Sequence, residues 1–302
     1  MLERIQGGLL GLACGDALGA PLEALPPAAI ARRYPDARSL QRDPPGEVLR
    51  YTDDTEMALG VAEALRVRGP RATVDDYARR YVANLTVERG YGRGALLALA
   101  AIDGGMPPTE AAVSYFPDGS FGNGAAMRVA PVGLAFAEDP PALEAQVQAS
   151  AAPTHAHPHA VEGARLIAHA VAFATRGPFR AADFEAFLRE RTRDDAYRAR
   201  LDDVFHGRGL ATGVAALESV PTALALAARH AGSYAEGVAR AVLLGGDCDT
   251  IAAMTGAILG AAHGIEAIPE AWLLRLERGP RGRGYLLQVA GQLHALSSAR
   301  GT

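Results

Sequence analysis

The chain has 302 residues, 49% of them apolar and 21% charged, with 30 basic against 34 acidic residues for a net charge of −4. That composition excludes a disordered, collagenous or coiled-coil protein, and the length suffices to bury a large core without disulfides or structural metal. The basic residues are all arginines, scattered with no five-residue cluster, which argues against a nucleic-acid or membrane-surface patch. No run of about 18 uncharged apolar residues is present, so no spanning helix is expected. An acid stands early in Met1-Leu2-Glu3-Arg4-Ile5, and no export signal is read there. The two cysteines, Cys14 and Cys248, form no zinc-type pair, and a reduced, cytoplasmic setting is expected.

Along the chain, Gly7, Gly8 and Gly11 recur at close helical spacing, as do Gly256 and Gly260 late in the sequence. Small residues so placed let two helix backbones approach. Segment 19–51 holds Pro21, Pro26, Pro27, Pro35, Pro44 and Pro45 and reads as a long, mostly irregular excursion, more often functional than idle. Three- and four-residue apolar spacing predicts helices over 56–67, 74–84, 94–102, 109–114, 159–175, 182–191, 211–229, 233–243, 250–263 and 284–297. Alternating β-branched runs are scarce, so the expected class is all-α. No linker or fixed-period repeat divides the chain, so one domain over 1–302 is expected, as a monomer because no heptad seam appears.

Three acidic clusters stand at element boundaries: Gly15-Asp16-Ala17-Leu18-Gly19 followed by Glu23; Tyr51-Thr52-Asp53-Asp54-Thr55-Glu56; and Gly245-Gly246-Asp247-Cys248-Asp249-Thr250. Helix capping explains part of this. Asp53 with Glu56 forms a capping-box pattern, and Asp249 or Thr250 can cap the helix that follows. Capping needs one side-chain oxygen, however, and each of the last two clusters offers several. Carboxylates packed together repel unless a cation lies between them. Hard divalent ions take such oxygens, and no Cys/His set favours zinc.

Asp118-Gly119-Ser120-Phe121-Gly122-Asn123-Gly124 is a glycine-rich loop opening a helix, where backbone amides can approach a phosphate or glycine can serve a tight turn. Gly90-Tyr91-Gly92-Arg93-Gly94 reads as a turn able to border a pocket. Thr154-His155-Ala156-His157-Pro158-His159 groups three histidines, but a helix starting at Pro158 breaks a shared metal-binding face and leaves one substrate contact as the better reading. Both cysteines read as small buried fillers.

In order, GDALGAPLE (15–23), YTDDTEMAL (51–59), GSFGNGAAMR (119–128), THAHP (154–158) and GGDCDTIAAMTGAILGA (245–261) resemble the ADP-ribosylglycohydrolase family, over about residues 3–297. The resemblance implies an all-α, orthogonally packed multi-helix single domain with a binuclear Mg²⁺ or Mn²⁺ site at helix N-termini. By the same resemblance, the ligands are Thr52, Asp53 and Asp54 with Asp247, Asp249 and Thr250. Gly119, Ser120, Phe121, Gly122 and Asn123 match the loop holding diphosphate and distal ribose, and His155 matches the family's Thr-His histidine. His157 and His159 receive no transferred role. Glu23 is similar to the loop acid of serine-directed members, while the compact chain is similar to bacterial arginine-directed ones. Both linkages therefore stay open.

The implied reaction hydrolyses the anomeric bond of the distal ribose in an ADP-ribosylated protein or small molecule, with Glu23 first, or a metal-side acid such as Asp54, managing protons. Two rivals have distinct signatures. A diphosphate-ionising terpene synthase wants aspartates at i, i+1 and i+4, a spacing that Met57 interrupts. An inactive ADP-ribose-binding or structural relative would bind without turnover, against the full acidic set.

Overall fold

The computed structural model describes residues 1–298. Helices run in the order Leu2–Gly19, Pro27–Arg33, Ala37–Arg42, Asp53–Arg68, Val74–Asn84, Arg93–Asp103, Pro108–Ser114, Gly124–Met127 and Ala130–Ala135. They continue as Pro140–Ala151, Pro158–Ala174, Ala181–Arg191, Asp195–Phe205, Ala216–Arg229, Tyr234–Leu243, Cys248–His263, Glu270–Arg275 and Arg283–Ser298. No sheet forms among the described residues; two isolated bridges, Leu49 with Leu276 and Gly122 with Ala215, are the β pairing. The class is all-α, as expected. No single described helix is long and apolar enough to cross a membrane.

The centre of the molecule is the pair Leu2–Gly19 and Cys248–His263. From Gly7 to Gly19 every residue of the first helix is buried, and so is the second from Cys248 to Ala262. A helix enclosed on every side has no polar face. This is why the first helix lacks an amphipathic signal and is absent from the elements predicted by periodicity.

Glycines at 7, 11 and 15 set the approach. A Cβ added at these positions would lie 2.2 Å from the Gly260 carbonyl oxygen, 2.4 Å from that of Gly256 and 2.2 Å from that of Ala252, respectively. The stripe ends with Gly19, where a Cβ would lie 2.3 Å from the Asp249 Cα. The two antiparallel helices therefore meet backbone to backbone. The acidic start of the second is set beside the end of the first, one turn from Asp16.

Several expectations need correction. The excursion 19–51 is not mostly irregular: it contains helices Pro27–Arg33 and Ala37–Arg42, the latter with a reciprocal Asp36–Ser39 capping box. The helix expected from 211 begins at Ala216, and the one expected from 250 begins at Cys248. Helices Pro140–Ala151 and Asp195–Phe205 were outside the predicted set.

Candidate metal centre and its cleft

Thr52 caps the Asp53–Arg68 helix, its hydroxyl accepting from the Asp54 amide at 3.3 Å. The expected Asp53–Glu56 capping box does not form. Glu56 instead accepts from the Thr86 amide at 2.9 Å, the Thr86 hydroxyl at 2.7 Å and the Tyr91 hydroxyl at 2.8 Å. Thus the glutamate ties the Gly90–Gly94 turn to the helix, and Asp53 and Asp54 are left without a capping duty.

The helix start is held from below by Asp16, which is fully buried. Its carboxylate accepts from the Thr52 amide at 2.9 and 3.1 Å, the Thr55 amide at 3.1 Å and the Thr55 hydroxyl at 2.5 Å. Asp16 belongs to the first acidic cluster but was not among the candidate site residues. Only its packing beside Thr52, distant in sequence, reveals its part.

At the other helix start, Asp249 Oδ1 accepts from the Thr250 amide at 2.9 Å, while Asp247 makes no capping bond. The Asp247 amide donates to the Thr212 carbonyl at 2.9 Å, and the Asp247 carboxylate accepts from Asn123 Nδ2 at 2.5 Å. Asn123 Nδ2 also donates to the Ser219 hydroxyl at 2.9 Å. Glu23 lies on an exposed loop pinned to this turn: the Ala24 amide donates to the Gly246 carbonyl at 2.8 Å, and the Gly246 amide to the Leu25 carbonyl at 3.3 Å.

The two helix starts, nearly two hundred residues apart in sequence, converge. The Thr250 hydroxyl donates to Asp54 Oδ1 at 3.4 Å. Glu23, Asp247 and Asp249 each bring a carboxylate oxygen within 4.8 Å of the others. Asp54 Oδ2 is buried with no hydrogen-bond partner.

Burial, then mutual repulsion, pushes these carboxyls up. Asp53 rises to about 7, under Asp16, Glu23 and Asp247, and Asp249 to about 9, under Asp247, Glu23 and Asp16. Asp54 rises well above the ordinary range, burial again leading, with Asp16 and Asp249 next. Asp247 rises only to about 6: burial raises it, and hydrogen bonding, that from Asn123 first, pulls it back.

Arg89, which lines the same pocket as Asp53, Asp247 and Asp249, is engaged elsewhere. Arg89 makes a bidentate pair with Glu277 at 2.6 and 3.0 Å and donates to the Tyr51 carbonyl at 2.6 Å. A crowded, buried, unpaired set of carboxylates with an orphaned oxygen is what a hard divalent cation neutralises. The donor set fits such an ion.

A cleft opens over this cluster. Glu23, Thr52, Asp53, Asp247, Asp249 and Thr250 form its floor. Ser120, Gly122, Asn123, His155 and the Gly90–Gly94 turn form its walls. The 119–123 loop is held by the Gly122–Ala215 bridge, in which the Asn123 amide donates to the Val214 carbonyl at 2.9 Å and the Ala216 amide to the Phe121 carbonyl at 3.0 Å.

Two candidates lie off the cleft wall. Gly119 (φ +79°) turns the chain against the His157 backbone, and Phe121 is 54% exposed with its ring edge-on to His157. The helix this loop opens, Gly124–Met127, has only four residues, so its macrodipole is too short to hold an anion as expected. The polar groups that remain are the loop amides and Asn123. His157 caps the Pro158–Ala174 helix by accepting from the His159 amide at 3.1 Å, and His159 faces Asp194 at 3.5 Å. The three histidines therefore share no metal-binding face.

Phe116, Met57, Met127, Arg128 and Val214 also line the cleft and were not among the candidates. Both cysteines are buried, as expected.

Comparison with known proteins agrees with this architecture. The family model described as ADP-ribosylglycohydrolase matches residues 1–302. The chain is 31% identical to ADP-ribosylhydrolase ARH3 of Xenopus tropicalis over 91% of each chain. It is 32% identical to an uncharacterized protein of Archaeoglobus fulgidus over 98% of this chain and 97% of that one. A solved structure titled "ADP-ribosylglycohydrolase-related protein complex" superimposes with a TM-score of 0.80 at 31% identity, covering 98% of both chains.

Proposed function

The chain belongs to the ADP-ribosylglycohydrolase family and is a glycohydrolase, and on that premise we propose that its cleft hydrolyses the bond at the anomeric carbon of the distal ribose in ADP-ribosyl conjugates, releasing ADP-ribose. The observation that carries this reading is the meeting of the Thr52–Asp54 and Asp247–Thr250 helix starts around a buried, unpartnered carboxylate oxygen.

Two divalent ions, Mg²⁺ or Mn²⁺, would be held by Thr52, Asp53, Asp54, Asp247, Asp249 and Thr250. Bound there, they supply Lewis-acid charge at the ribose oxygens and at an attacking water. The rest falls to the protein. Asn123 holds Asp247 in position through its side-chain amide. Ser120, Gly122 and Asn123, the part of the loop that lines the cleft, present their backbone to the diphosphate, and the exposed face of Phe116 at the cleft wall offers a stacking surface for a base. Glu23, exposed above Asp247 and Asp249, is the acid best placed to move a proton at the leaving atom or the water. Asp54 is enclosed among the other acids and serves as ligand first.

The test is release of ADP-ribose from peptides ADP-ribosylated on serine or on arginine, with Mg²⁺ or Mn²⁺ supplied. Release from one or both supports the reading and assigns the linkage. Tight binding of ADP-ribose with no release from either would instead identify an inactive binding relative.

A further inference from the structure

Arg128 is fully shielded from solvent and has no carboxylate partner among the described residues. It is tolerated because it closes the end of the Pro140–Ala151 helix. Its guanidinium donates to the Ser150 carbonyl at 2.8 Å, the Ala151 carbonyl at 3.4 Å and the Gly124 carbonyl at 3.0 Å, and it lies 4.6 Å from the Tyr81 ring centre. The negative end of a helix and an aromatic face both favour a cation.

One further donation has a chemical consequence. The Arg128 guanidinium also donates a hydrogen bond to the Thr154 hydroxyl at 2.8 Å, and that hydroxyl lies 2.7 Å from His155 Nδ1. Arginine has donors only, so the threonine oxygen accepts from it. The hydroxyl proton then has one available acceptor, Nδ1. The opposite arrangement, Nδ1–H donating to the hydroxyl, would leave the buried threonine proton without a partner, at the cost of that donor's lost hydration. Protonating both nitrogens would set a buried imidazolium beside a buried guanidinium.

Nδ1 therefore carries a lone pair and Nε2 the proton. Nε2 has no hydrogen-bond partner among the described residues and lies on the cleft wall, facing Gly122 and Gly124. Glycine at 124 preserves this placement: a Cβ there would sit 2.9 Å from Nε2 and 2.6 Å from Cε1.

We propose that Arg128 and Thr154 are positioning residues that lock His155 as a neutral imidazole donating from Nε2 into the cleft. A nitrogen bearing a proton has no lone pair for a metal or for general-base work. His155 is thus a hydrogen-bond donor to a substrate oxygen, neither ligand nor base. Naming that oxygen as part of an ADP-ribosyl group rests on the function proposed above; the tautomer does not.

The test is ¹⁵N NMR of histidine-labelled protein, with His155→Gln to assign the signal and free ADP-ribose as the binding probe. The expected wild-type spectrum has Nδ1 unprotonated and Nε2 protonated from pH 6 to 8. Thr154→Val should release the tautomer and weaken ADP-ribose binding about tenfold, the loss of one oriented hydrogen bond, whereas Thr154→Ser should keep both. A wild-type ring protonated at Nδ1, or a tautomer unchanged in Thr154→Val, would overturn the proposal. If Thr154→Val fails to fold, the wild-type spectrum decides. The expected tautomer with no ADP-ribose binding would support the lock and overturn the functional reading instead.

Discussion

Gly11 and Gly256 touch backbone to backbone: a Cβ on the first would lie 2.4 Å from the carbonyl oxygen of the second, and a Cβ on the second 2.2 Å from that of the first. Two turns on, the same contact line sets Asp249 against Gly19, so helix spacing and site geometry are one quantity. Gly256→Ala should push the two helices apart, costing about 1–3 kcal/mol of stability in denaturant titration. It should also weaken Mg²⁺ binding, although residue 256 is not in the cleft. Wild-type Mg²⁺ affinity in this variant would mean that the acidic turn is positioned independently of the helix pair.

Asp16 holds the helix start that carries the proposed ligands rather than taking a ligand place of its own. Asparagine would keep one accepting oxygen and turn an NH₂ group toward donors from Thr52 and Thr55. Asp16→Asn should therefore lower metal affinity or turnover by about 10–100-fold, the usual effect of losing a group that orients ligands. Calorimetric Mg²⁺ titration and ADP-ribose release measure it; unaltered values for both would remove Asp16 from the account.

Asp54 gives a prediction whose sign changes with the ion. Without metal its carboxylate is buried against other acids with one oxygen orphaned. Asp54→Asn should relieve that repulsion and melt above the wild type in EDTA. With saturating Mg²⁺ the wild type should regain the lead, because ion binding stabilises only the folded state that holds it. Turnover in the variant should fall at least about 100-fold. Thermal melts in both buffers check this, and the same ranking in both would contradict a cation between the helix starts.

His155 contributes an acid-side instability. Burial, and then the Arg128 charge, hold its pKa down to about 3, against 6.5 for an ordinary histidine. The folded protein keeps this ring neutral while the unfolded chain takes up a proton below 6.5. Its contribution is therefore complete above pH 6.5 and is lost as the pH falls toward 3, by up to about 1.4 kcal/mol per unit. The stability gap between wild type and His155→Gln should narrow across that window, measured by urea unfolding at stepped pH. A gap independent of pH would show that the ring is not held neutral.

Much of this was readable before any coordinates. Amphipathic helices such as Val74–Asn84 follow from their apolar spacing; the two acidic clusters stand out by offering more oxygens than a cap needs, and the family resemblance names the ligand candidates within them. The misses have physical causes. The first helix is enclosed on all sides, so no polar face marks it; only its glycines hinted at a partner. Asp16 acts through backbone amides distant in sequence, which no local spacing encodes. Glu56 matched a capping box in pattern, yet tertiary donors from Thr86 and Tyr91 outcompeted the helix end. Arg128 stood inside a recognised motif, but its use as a helix-end clamp depends on where Ser150 and Thr154 come to lie.

The most direct measurement of the central claim is ADP-ribose release from ADP-ribosylated serine and arginine peptides, followed before and after EDTA and again after Mg²⁺ or Mn²⁺ is restored. The account predicts release with metal, loss with chelator and recovery on return of the ion. Release that continues undiminished in EDTA, or ADP-ribose bound in the presence of metal with neither linkage cut, would contradict it.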